Sequence, residues 1–385
     1  LGISQQLDYF AGCVYVQDVH KVFTPDGSML KPEQFKASFG GYVFALDSSN
    51  DKSTKNAWEA FIESQGVRFP KAHSACFRPD QAPGALLERE GRVLVNTYVP
   101  GPVRRVKGDV TPVLVHLEKL LPVQSDRDIL LAYMAACVQY PGVKFQWTPL
   151  LQGMDGNGKT LLASCLAEAI GHRYTHIQAA QDLGNQFNAW VQGNMLVVVE
   201  EVHVSDKREM LDALKPLITN ERIGVQGKGE NQTTGDNCAN FFMFSNHKDA
   251  VRKTRIDRRF CVFYTAQQTF EDLSRCGMVG SYFPELVGWL KADGFAHVAE
   301  YLSTYQIPAE LDPSGAAHRA PDTSSTAEAL ALSLGPVEQE VLEAMESGRY
   351  GFSGGWVSSM AFDKFLEERR DDRRIRSEER RVGKE

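Results

Sequence analysis

The spacing of apolar residues divides the first part of the chain into two regions. Residues 1–60 mix short apolar runs such as GCVYVQDV and GGYVFAL with turn residues, which indicates a small, partly β module. A helix is predicted over 54–66 and a strand over 91–101. Further on, TPVLVHLEKLLP and SDRDILLAYMAACVQYPG repeat apolar residues every three or four positions, which predicts two helices. Ser125 is a candidate N-cap for the second of these helices.

Strand and helix patterns then alternate from about 144 to 265, which is typical of an α/β fold. Four apolar runs suit strands that are buried on both faces of a parallel sheet: FQWTPLLQG, GNMLVVVEEV, CANFFMFSNH and RRFCVFYT. Between the first two, GKTLLASCLAEAIG predicts a helix that ends at Gly171. These elements together predict a parallel sheet flanked by helices.

The pattern changes again beyond residue 300. IPAELDPSGAAHRAPDTSST is rich in Pro, Ser and Ala, which predicts a linker. Helical patterns follow, from TAEALALSL to AFDKFLEERR. The chain ends in RRDDRRIRSEERRVGKE, a charge run typical of a solvated terminus.

Length and composition limit the class of protein. A chain of 385 residues is too long for one ordinary core, so two or three domains are expected. No apolar run reaches the ~20 residues that a membrane helix needs. The first residues, LGISQQLDYFAGC, include neither Met nor a basic segment. No signal peptide is therefore predicted, and this start is consistent with a fragment of a longer polypeptide.

Cysteine content and net charge restrict the chemistry further. The seven cysteines are scattered without a C-x-x-C pair, which favours buried thiols over a disulfide framework or a zinc site. The net charge of −7 argues against a surface that is basic throughout. It is compatible with nucleic acid held in a local basic channel.

The segment LLQGMDGNGKTLLASC contains the pattern G-x-x-x-x-G-K-[ST], which binds nucleotide phosphates. Its glycines let consecutive backbone N–H groups face the phosphates. Lys159 is predicted to reach the β- and γ-phosphates, and the Thr160 hydroxyl to bind Mg²⁺. The loop by itself predicts a nucleoside triphosphate, and the predicted binding residues are Gly153, Asp155, Gly156, Asn157, Gly158, Lys159 and Thr160.

An acidic pair, Glu200 and Glu201, ends the apolar run 41 residues beyond Lys159. A phosphate-loop ATPase needs one carboxylate for Mg²⁺ and a second acid to polarise the attacking water. Glu200 is assigned to the metal and Glu201 to the water, although the sequence also allows the two roles to be exchanged.

Three further features follow along the chain. Asn246 ends an apolar strand and is predicted to sense the γ-phosphate. Arg258 and Arg259 are candidates for an arginine that completes the ATP site of a neighbouring subunit. ERIGVQGKGENQTTG predicts a β-hairpin with Lys228 at its tip.

The order of these motifs resembles that of superfamily-3 helicases, which are ring-forming viral and phage AAA+ motors. More closely, VNTYVPG, AACVQYPGVKFQW, GNGKTLL, VQGKGENQTT, SNHKDAV and DRRFCVFYT resemble the helicase part of phage and prophage primase-helicases, whose relatives include poxvirus-type primase-helicases. The resemblance covers roughly residues 90 to 330. It implies a hexameric ring in which Lys228 contacts single-stranded or forked DNA and Arg258 or Arg259 acts in trans.

The resemblance also implies a domain plan and a cellular setting. The plan has an N-terminal mixed α+β module (1–105), a helical collar (106–143), an AAA+ ATPase domain with a parallel sheet (144–300), a linker (301–324) and a small helical or winged-helix-like region (325–385). A primase or polymerase partner, the cytoplasm of a bacterial host and no membrane association are expected. No primase or polymerase motif is found in the chain itself.

Two other functions stay open at this point. An AAA+ loader or initiator would use ATP to assemble on DNA without unwinding it. A phosphate-loop kinase would need an acceptor pocket, and it would leave the hairpin and the arginine pair unexplained.

Overall fold

The computed structural model describes residues 1–49, 51–183, 188–202, 208–226, 233–251, 253–333, 341, 343–353, 356–365 and 367. Contacts within the chain group it into two units, Leu1–Thr326 and Ala327–Glu385. Each unit is described by itself.

Short strands and helices build the first hundred residues, as the mixed apolar pattern predicts. The helices are α1 (Ile3–Tyr9), α2 (Pro32–Phe39) and α3 (Ala57–Ile62). The strands are β1 (Val14–Val16), β2 (Lys21–Phe23), β3 (Met29–Leu30), β4 (Phe44–Ala45), β5 (Ser53–Thr54), β6 (Lys71–Ala72), β7 (Ser74–Cys76), β8 (Leu86–Arg89) and β9 (Arg92–Asn96). They form sheets in the orders β3-β2-β1-β6, β7-β9-β8 and β4-β5.

Phenylalanine side chains fill the core of this part. Phe10, Phe35, Phe44 and Phe61 are each at most 1% exposed and pack against one another. The predicted helix over 54–66 is shorter than its pattern indicates. Asn56 caps its start, since the Asn56 side chain accepts a hydrogen bond from the Trp58 N–H at 3.1 Å, and the helix ends before Glu63.

Two helices, α4 (Thr111–Leu120) and α5 (Gln124–Gln139), lie where helical periodicity predicts them. The predicted N-cap of α5 is wrong: Val123 holds that position, and Ser125 lies inside the first turn. Asp126 is the acidic residue of that turn. It is buried and accepts hydrogen bonds from the backbone N–H and the hydroxyl of Ser324, at 3.0 and 2.5 Å.

A five-stranded parallel sheet follows, which confirms the predicted α/β class. Its strands are β10 (Thr148–Gln152), β11 (Thr175–Ala179), β12 (Leu196–Glu200), β15 (Asn240–Ser245) and β16 (Phe260–Tyr264), in the order β11-β12-β15-β10-β16. The connecting elements are α6 (Lys159–Ile170), α7 (Arg208–Thr219) and the hairpin β13 (Arg222–Val225) and β14 (Thr233–Asp236). The prediction that α6 ends at Gly171 is confirmed.

The strand order decides which chain segments meet at one end of the sheet. The strand β15 lies between β10, which leads into the phosphate loop, and β12, which ends in the acidic pair. Because all five strands are parallel, their carboxyl ends lie along one edge. Ligands of open α/β sheets bind outside such an edge.

The segment after the sheet returns to it. Helix α8 (Phe270–Arg275) and helix α9 (Tyr282–Trp289) are followed by a π-helical turn (Leu290–Gly294) and α10 (Phe295–Thr304), so α10 includes the first four residues of the predicted linker. Later residues of that stretch contact the sheet region: the Trp147 Nε1–H donates to Ala317 O at 2.6 Å, and the Tyr264 N–H to Ser325 Oγ at 2.8 Å. The predicted domain boundaries themselves stay predictions.

The second unit is small. It has helix α11 (Thr326–Leu332) at its start, and the strands β17 (Phe352–Ser353) and β18 (Trp356–Val357) pair antiparallel. Ala344, Phe352 and Phe365 form its buried cluster. A winged helix in this region stays a prediction, because most of the charged end beyond residue 365 lies outside the described residues.

The seven cysteines carry no disulfide, as their spacing predicts. Burial raises the pKa of Cys13 and of Cys165 to about 12, which keeps both thiols protonated at neutral pH. In the described part of the chain, no helix combines the length and the apolar character that crossing a membrane requires.

Lys144 is a cation whose titration is expected to make the stability of the fold depend on pH. Its side chain is half-buried, with the ammonium group donating to Ala239 O and lying 4.9 Å from the centre of the Phe241 ring. Burial lowers the pKa of Lys144 from its ordinary value of 10.5 to about 7.

We expect the free energy of unfolding to rise with pH above 7 in the wild type, relative to a Lys144→Met variant. Between pH 7 and 10.5 the unfolded chain keeps the Lys144 proton that the folded chain has lost, and stability rises wherever the unfolded state binds more protons. The slope is at most about 1.4 kcal/mol per pH unit. Urea unfolding at pH 7, 8 and 9 measures it, with Lys36→Met as a surface control. If the free energy of unfolding changed with pH in the same way in the wild type and in Lys144→Met, the expectation would be wrong.

Candidate functional site

The phosphate loop connects β10 to α6 in a conformation that depends on its glycines. Gly156 and Gly158 have φ angles of 78° and 77°, in the left-handed region that favours glycine. A Cβ on Gly158 would lie 2.7 Å from Phe283 Cε1, and one on Gly153 would lie 2.0 Å from Thr265 Oγ1. Larger residues would therefore force the loop open at both positions.

Asn157 acts inside the loop. Its side chain is fully buried, donates to Thr265 Oγ1 at 2.9 Å and accepts from the Lys159 N–H at 3.2 Å. Asp155, Gly156 and Thr160 are exposed. Of the predicted binding residues, Gly153, Asn157 and Gly158 thus shape the loop, while Asp155, Gly156 and Thr160 are accessible to a ligand.

The Lys159 ammonium group lies within this loop. It donates to Gly153 O at 3.1 Å, to Met154 O at 3.0 Å and to Asn246 Oδ1 at 2.8 Å. Burial lowers the pKa of Lys159, while the nearby Asp155 carboxylate opposes that shift. The contact with Asn246 brings together two predicted site residues that lie 87 positions apart.

The strand ends place the acidic pair close to this contact. Val199 pairs with Met243, and Gln152 pairs with Ser245. The acidic pair stands at the end of β12, at the same edge of the sheet where Asn246 follows β15. Since adjacent strands lie ~4.8 Å apart, β12 and β10 are separated by roughly 10 Å. Glu200 and Glu201 are both exposed at this edge.

The backbone turns sharply at the acidic pair. Glu201 has a φ of 57°, which is uncommon for a residue other than glycine. The turn is held on the neighbouring strand: the Val202 N–H donates to Phe244 O at 2.8 Å, and the Ser245 hydroxyl donates to Val202 O at 2.5 Å. Ser245 thus joins the end of the acidic strand to that of the Asn246 strand.

Three glutamines form hydrogen bonds on the other side of the loop. Gln152 donates through Nε2 to Asn246 O at 3.2 Å and to Gln268 Oε1 at 3.0 Å. The Met154 N–H donates to Gln267 O at 3.1 Å. None of these glutamines, nor Ser245, belongs to a spaced motif, so the amino-acid sequence alone does not identify them.

The predicted hairpin is confirmed, with β13 and β14 paired antiparallel. Lys228, predicted at its tip, lies outside the described residues. The base of the hairpin is held from two sides. Arg89 donates to the Asp236 carboxylate at 2.8 Å, while Asn188 donates to Gly224 O at 2.8 Å.

The arginine pair precedes β16. Arg258 is exposed, and its carbonyl oxygen accepts a hydrogen bond from the Ala320 N–H at 2.9 Å. Arg259 is half-buried, and its Nε finds no hydrogen-bond partner among the described residues. Arg258 is thus the more accessible of the two candidates.

Few of the described side chains are placed where they could bind a metal ion. Within the ranges that the structure describes, no group of three or more His, Cys, Asp or Glu residues is arranged to hold a metal ion. Thr160 and Glu200 offer exposed oxygen atoms, which suits Mg²⁺, since Mg²⁺ is usually bound through one or two carboxylates together with substrate phosphates and water.

Comparison with known proteins gives matches of three kinds. Residues 151–259 match a family described as of unknown function, DUF5906. Over 186 residues the chain is 26% identical to a DNA primase-polymerase of Nitratiruptor phage NrS-1, an alignment that covers 46% of this chain. The aligned part of the chain covers only 25% of that relative's length.

Solved structures of the NrS-1 C-terminal region share the fold. One apo structure superposes with a TM-score of 0.64 at 16% identity, covering 89% of this chain and 78% of the other. A second superposes with a TM-score of 0.63 at 17% identity, covering 92% and 82%. The chain is therefore a mixed α/β protein with the fold of the NrS-1 C-terminal region.

Proposed function

We propose that the chain is the ATP-driven helicase portion of a phage DNA-replication protein. The observation that carries the proposal is the 2.8 Å contact between the Lys159 ammonium and Asn246 Oδ1. It joins a phosphate-binding loop to the tip of the strand that lies beside the acidic pair. An ATPase needs these groups together, since charge stabilisation and water positioning must act on the same phosphate.

The mechanism begins with an exchange of partners at Lys159. When ATP enters, the ammonium leaves Gly153 O, Met154 O and Asn246 Oδ1 and binds the β- and γ-phosphates. The Asn246 amide is then free to contact the γ-phosphate. Asn246, the side chain that Lys159 releases, is therefore the one that detects the nucleotide.

The acidic pair supplies the remaining chemistry. The Thr160 hydroxyl and the Glu200 carboxylate would hold Mg²⁺, which when bound neutralises charge on the phosphates. Glu201, at the strained turn, accepts a proton from the attacking water. The exchanged assignment of Glu200 and Glu201 is equally compatible with their exposure.

Assembly completes the proposed site. Arg258 or Arg259 of one subunit stabilises charge on the γ-phosphate in the next, within a homo-oligomeric ring that is hexameric by resemblance. The Lys228 hairpins then line a central channel and hold single-stranded DNA through its phosphates, a grip that weakens with salt.

The proposed role in phage replication is based on the similarity to the NrS-1 protein. Similarity to a phage DNA primase-polymerase supports a role in phage DNA replication in the cytoplasm of a bacterial host. A primase or polymerase, joined to this chain or acting beside it, would copy the strand that the helicase exposes.

Strand displacement on a forked duplex tests this function. We expect ATP-dependent displacement by the wild type and its loss in Lys228→Ala, with ATP hydrolysis in the absence of DNA unchanged. The exposed Lys55 provides a matched control, because Lys55→Ala removes the same charge elsewhere. Hydrolysis without displacement by the wild type would favour a loader, and hydrolysis indifferent to single-stranded DNA would contradict the proposal.

A further inference from the structure

His116, a residue of α4, lies against the phosphate loop. It is fully buried, and its Nε2 is 3.1 Å from the carbonyl oxygen of Gly158. Its Nδ1 is 3.0 Å from the hydroxyl of Tyr282 on α9. The imidazole therefore joins three elements that are remote in sequence, at the residue directly before Lys159.

The two partners determine which ring nitrogen carries the proton. A carbonyl oxygen only accepts, so Nε2 must donate to Gly158 O. In the neutral ring Nδ1 then accepts from the Tyr282 hydroxyl. Burial lowers the pKa of His116, the bond to Gly158 opposes this, and Lys119 adds to it. The neutral ring with its proton on Nε2 is thus the favoured form.

The Gly158 carbonyl is a sensitive point of the loop. Gly158 has the left-handed conformation that starts α6, and its carbonyl also accepts a hydrogen bond from the Leu161 N–H at 3.0 Å. A Cβ on Gly158 would lie 2.8 Å from His116 Cε1, so the ring packs directly against this glycine. Fixing this carbonyl fixes the peptide whose N–H belongs to Lys159, at the helix start where phosphates bind.

A histidine that only filled the core would not need this arrangement. An apolar side chain of similar size would pack equally well against Phe283 and Tyr282, the aromatic neighbours of the ring. Both ring nitrogens of His116 instead form hydrogen bonds with defined partners, one of which is the backbone of the phosphate loop.

We propose that His116 is a positioning residue for nucleotide binding: its Nε2–H holds the Gly158 carbonyl, and Tyr282 holds the imidazole. The proposal rests on the nucleotide-binding function proposed above. His116 acts through the loop and does not itself touch the nucleotide. It links α4 mechanically to the site, so that a shift of α4 changes the loop.

Four variants test this role: His116→Leu, His116→Gln, Tyr282→Phe and the control Tyr133→Phe. The measurements are the KM and kcat for ATP, the affinity for a fluorescent ATP analogue, and urea unfolding. We expect His116→Leu to raise KM about tenfold with little change in kcat, because it leaves the buried carbonyl without this donor. Gln carries an N–H at a similar distance and should restore KM to within about threefold of the wild type. Tyr282→Phe should raise KM about threefold.

Tyr133→Phe is the matched control. Tyr133 is fully buried and donates to Phe241 O at 2.8 Å, away from the phosphate loop. Its loss should lower stability without changing KM.

Several outcomes would overturn the role of His116. One is a folded His116→Leu protein with the wild-type KM, and another is an equal rise in KM in Tyr133→Phe. If His116→Leu does not fold, an unchanged KM in Tyr282→Phe decides against the proposal. A wild type that binds no ATP contradicts the proposed function itself, whereas a wild type that binds ATP with unaffected variants contradicts only the role of His116.

Discussion

A Lys159→Met variant is expected to hydrolyse ATP at least about a hundredfold more slowly than the wild type, the usual effect of losing a charge-stabilising donor in an active site. Lys159 is 6% exposed, and its ammonium group donates to three oxygen atoms, those of Gly153, Met154 and Asn246. Met has a similar length without the charge, so the loop keeps its packing.

Lys253→Met is the matched control for this prediction. Lys253 is also buried, at 4% exposure, and donates to Phe260 O at 2.6 Å. Its replacement should lower the free energy of unfolding and leave the affinity for ATP unchanged. Steady-state hydrolysis and binding of a fluorescent ATP analogue measure both effects. Activity in Lys159→Met above about a tenth of the wild type would remove Lys159 from the proposed mechanism.

The second large effect concerns the acidic pair. Glu201→Gln is expected to bind ATP normally and to lose hydrolysis by about 10²–10³-fold, since an amide cannot accept the proton of the attacking water. Glu200→Gln is expected to lose activity as well, but with a higher Mg²⁺ concentration needed for half-maximal binding of ATP. Titrating Mg²⁺ at a fixed, sub-saturating concentration of ATP and measuring ATP binding therefore separates the two roles.

Glu168→Gln is a suitable control, because Glu168 pairs with His172 near the other end of α6 and is 40% exposed. It should behave like the wild type. The reverse pattern in the acidic pair would exchange the two roles. Full activity in both Glu200→Gln and Glu201→Gln would exclude the pair from the site.

Secondary structure was largely predictable where the apolar pattern is strong. Four of the five strands of the parallel sheet and helix α6 are read from continuous apolar runs and helical spacing, which report burial directly. The fifth strand, β11, has no such run and is not predicted. Boundaries were less predictable. The N-cap of α5 is Val123 and not Ser125, because an N-cap residue has a non-helical backbone, whereas Ser125 already lies within the helix.

The sequence motifs of the candidate site were predictable, whereas the residues that contact and position these motifs were not. The glycines and Lys159 match the fixed spacing of a phosphate-loop pattern within one short segment, and the acidic pair ends a separate apolar run. His116, Ser245 and Gln268 come from separate elements, and their types are common in protein interiors. Only their contacts, with Gly158, Val202 and Gln152 respectively, distinguish them from ordinary core residues.

The sequence by itself determined the elements of this protein: a phosphate loop between a strand and a helix, an acidic strand end, a hairpin and a strand that ends in Asn246. Local spacing suffices there, because each element is stabilised by its own apolar pattern. Only the tertiary structure decided that β15 lies between β10 and β12, which brings Asn246 to Lys159. Long-range packing of the sheet sets that order, and no local pattern encodes it.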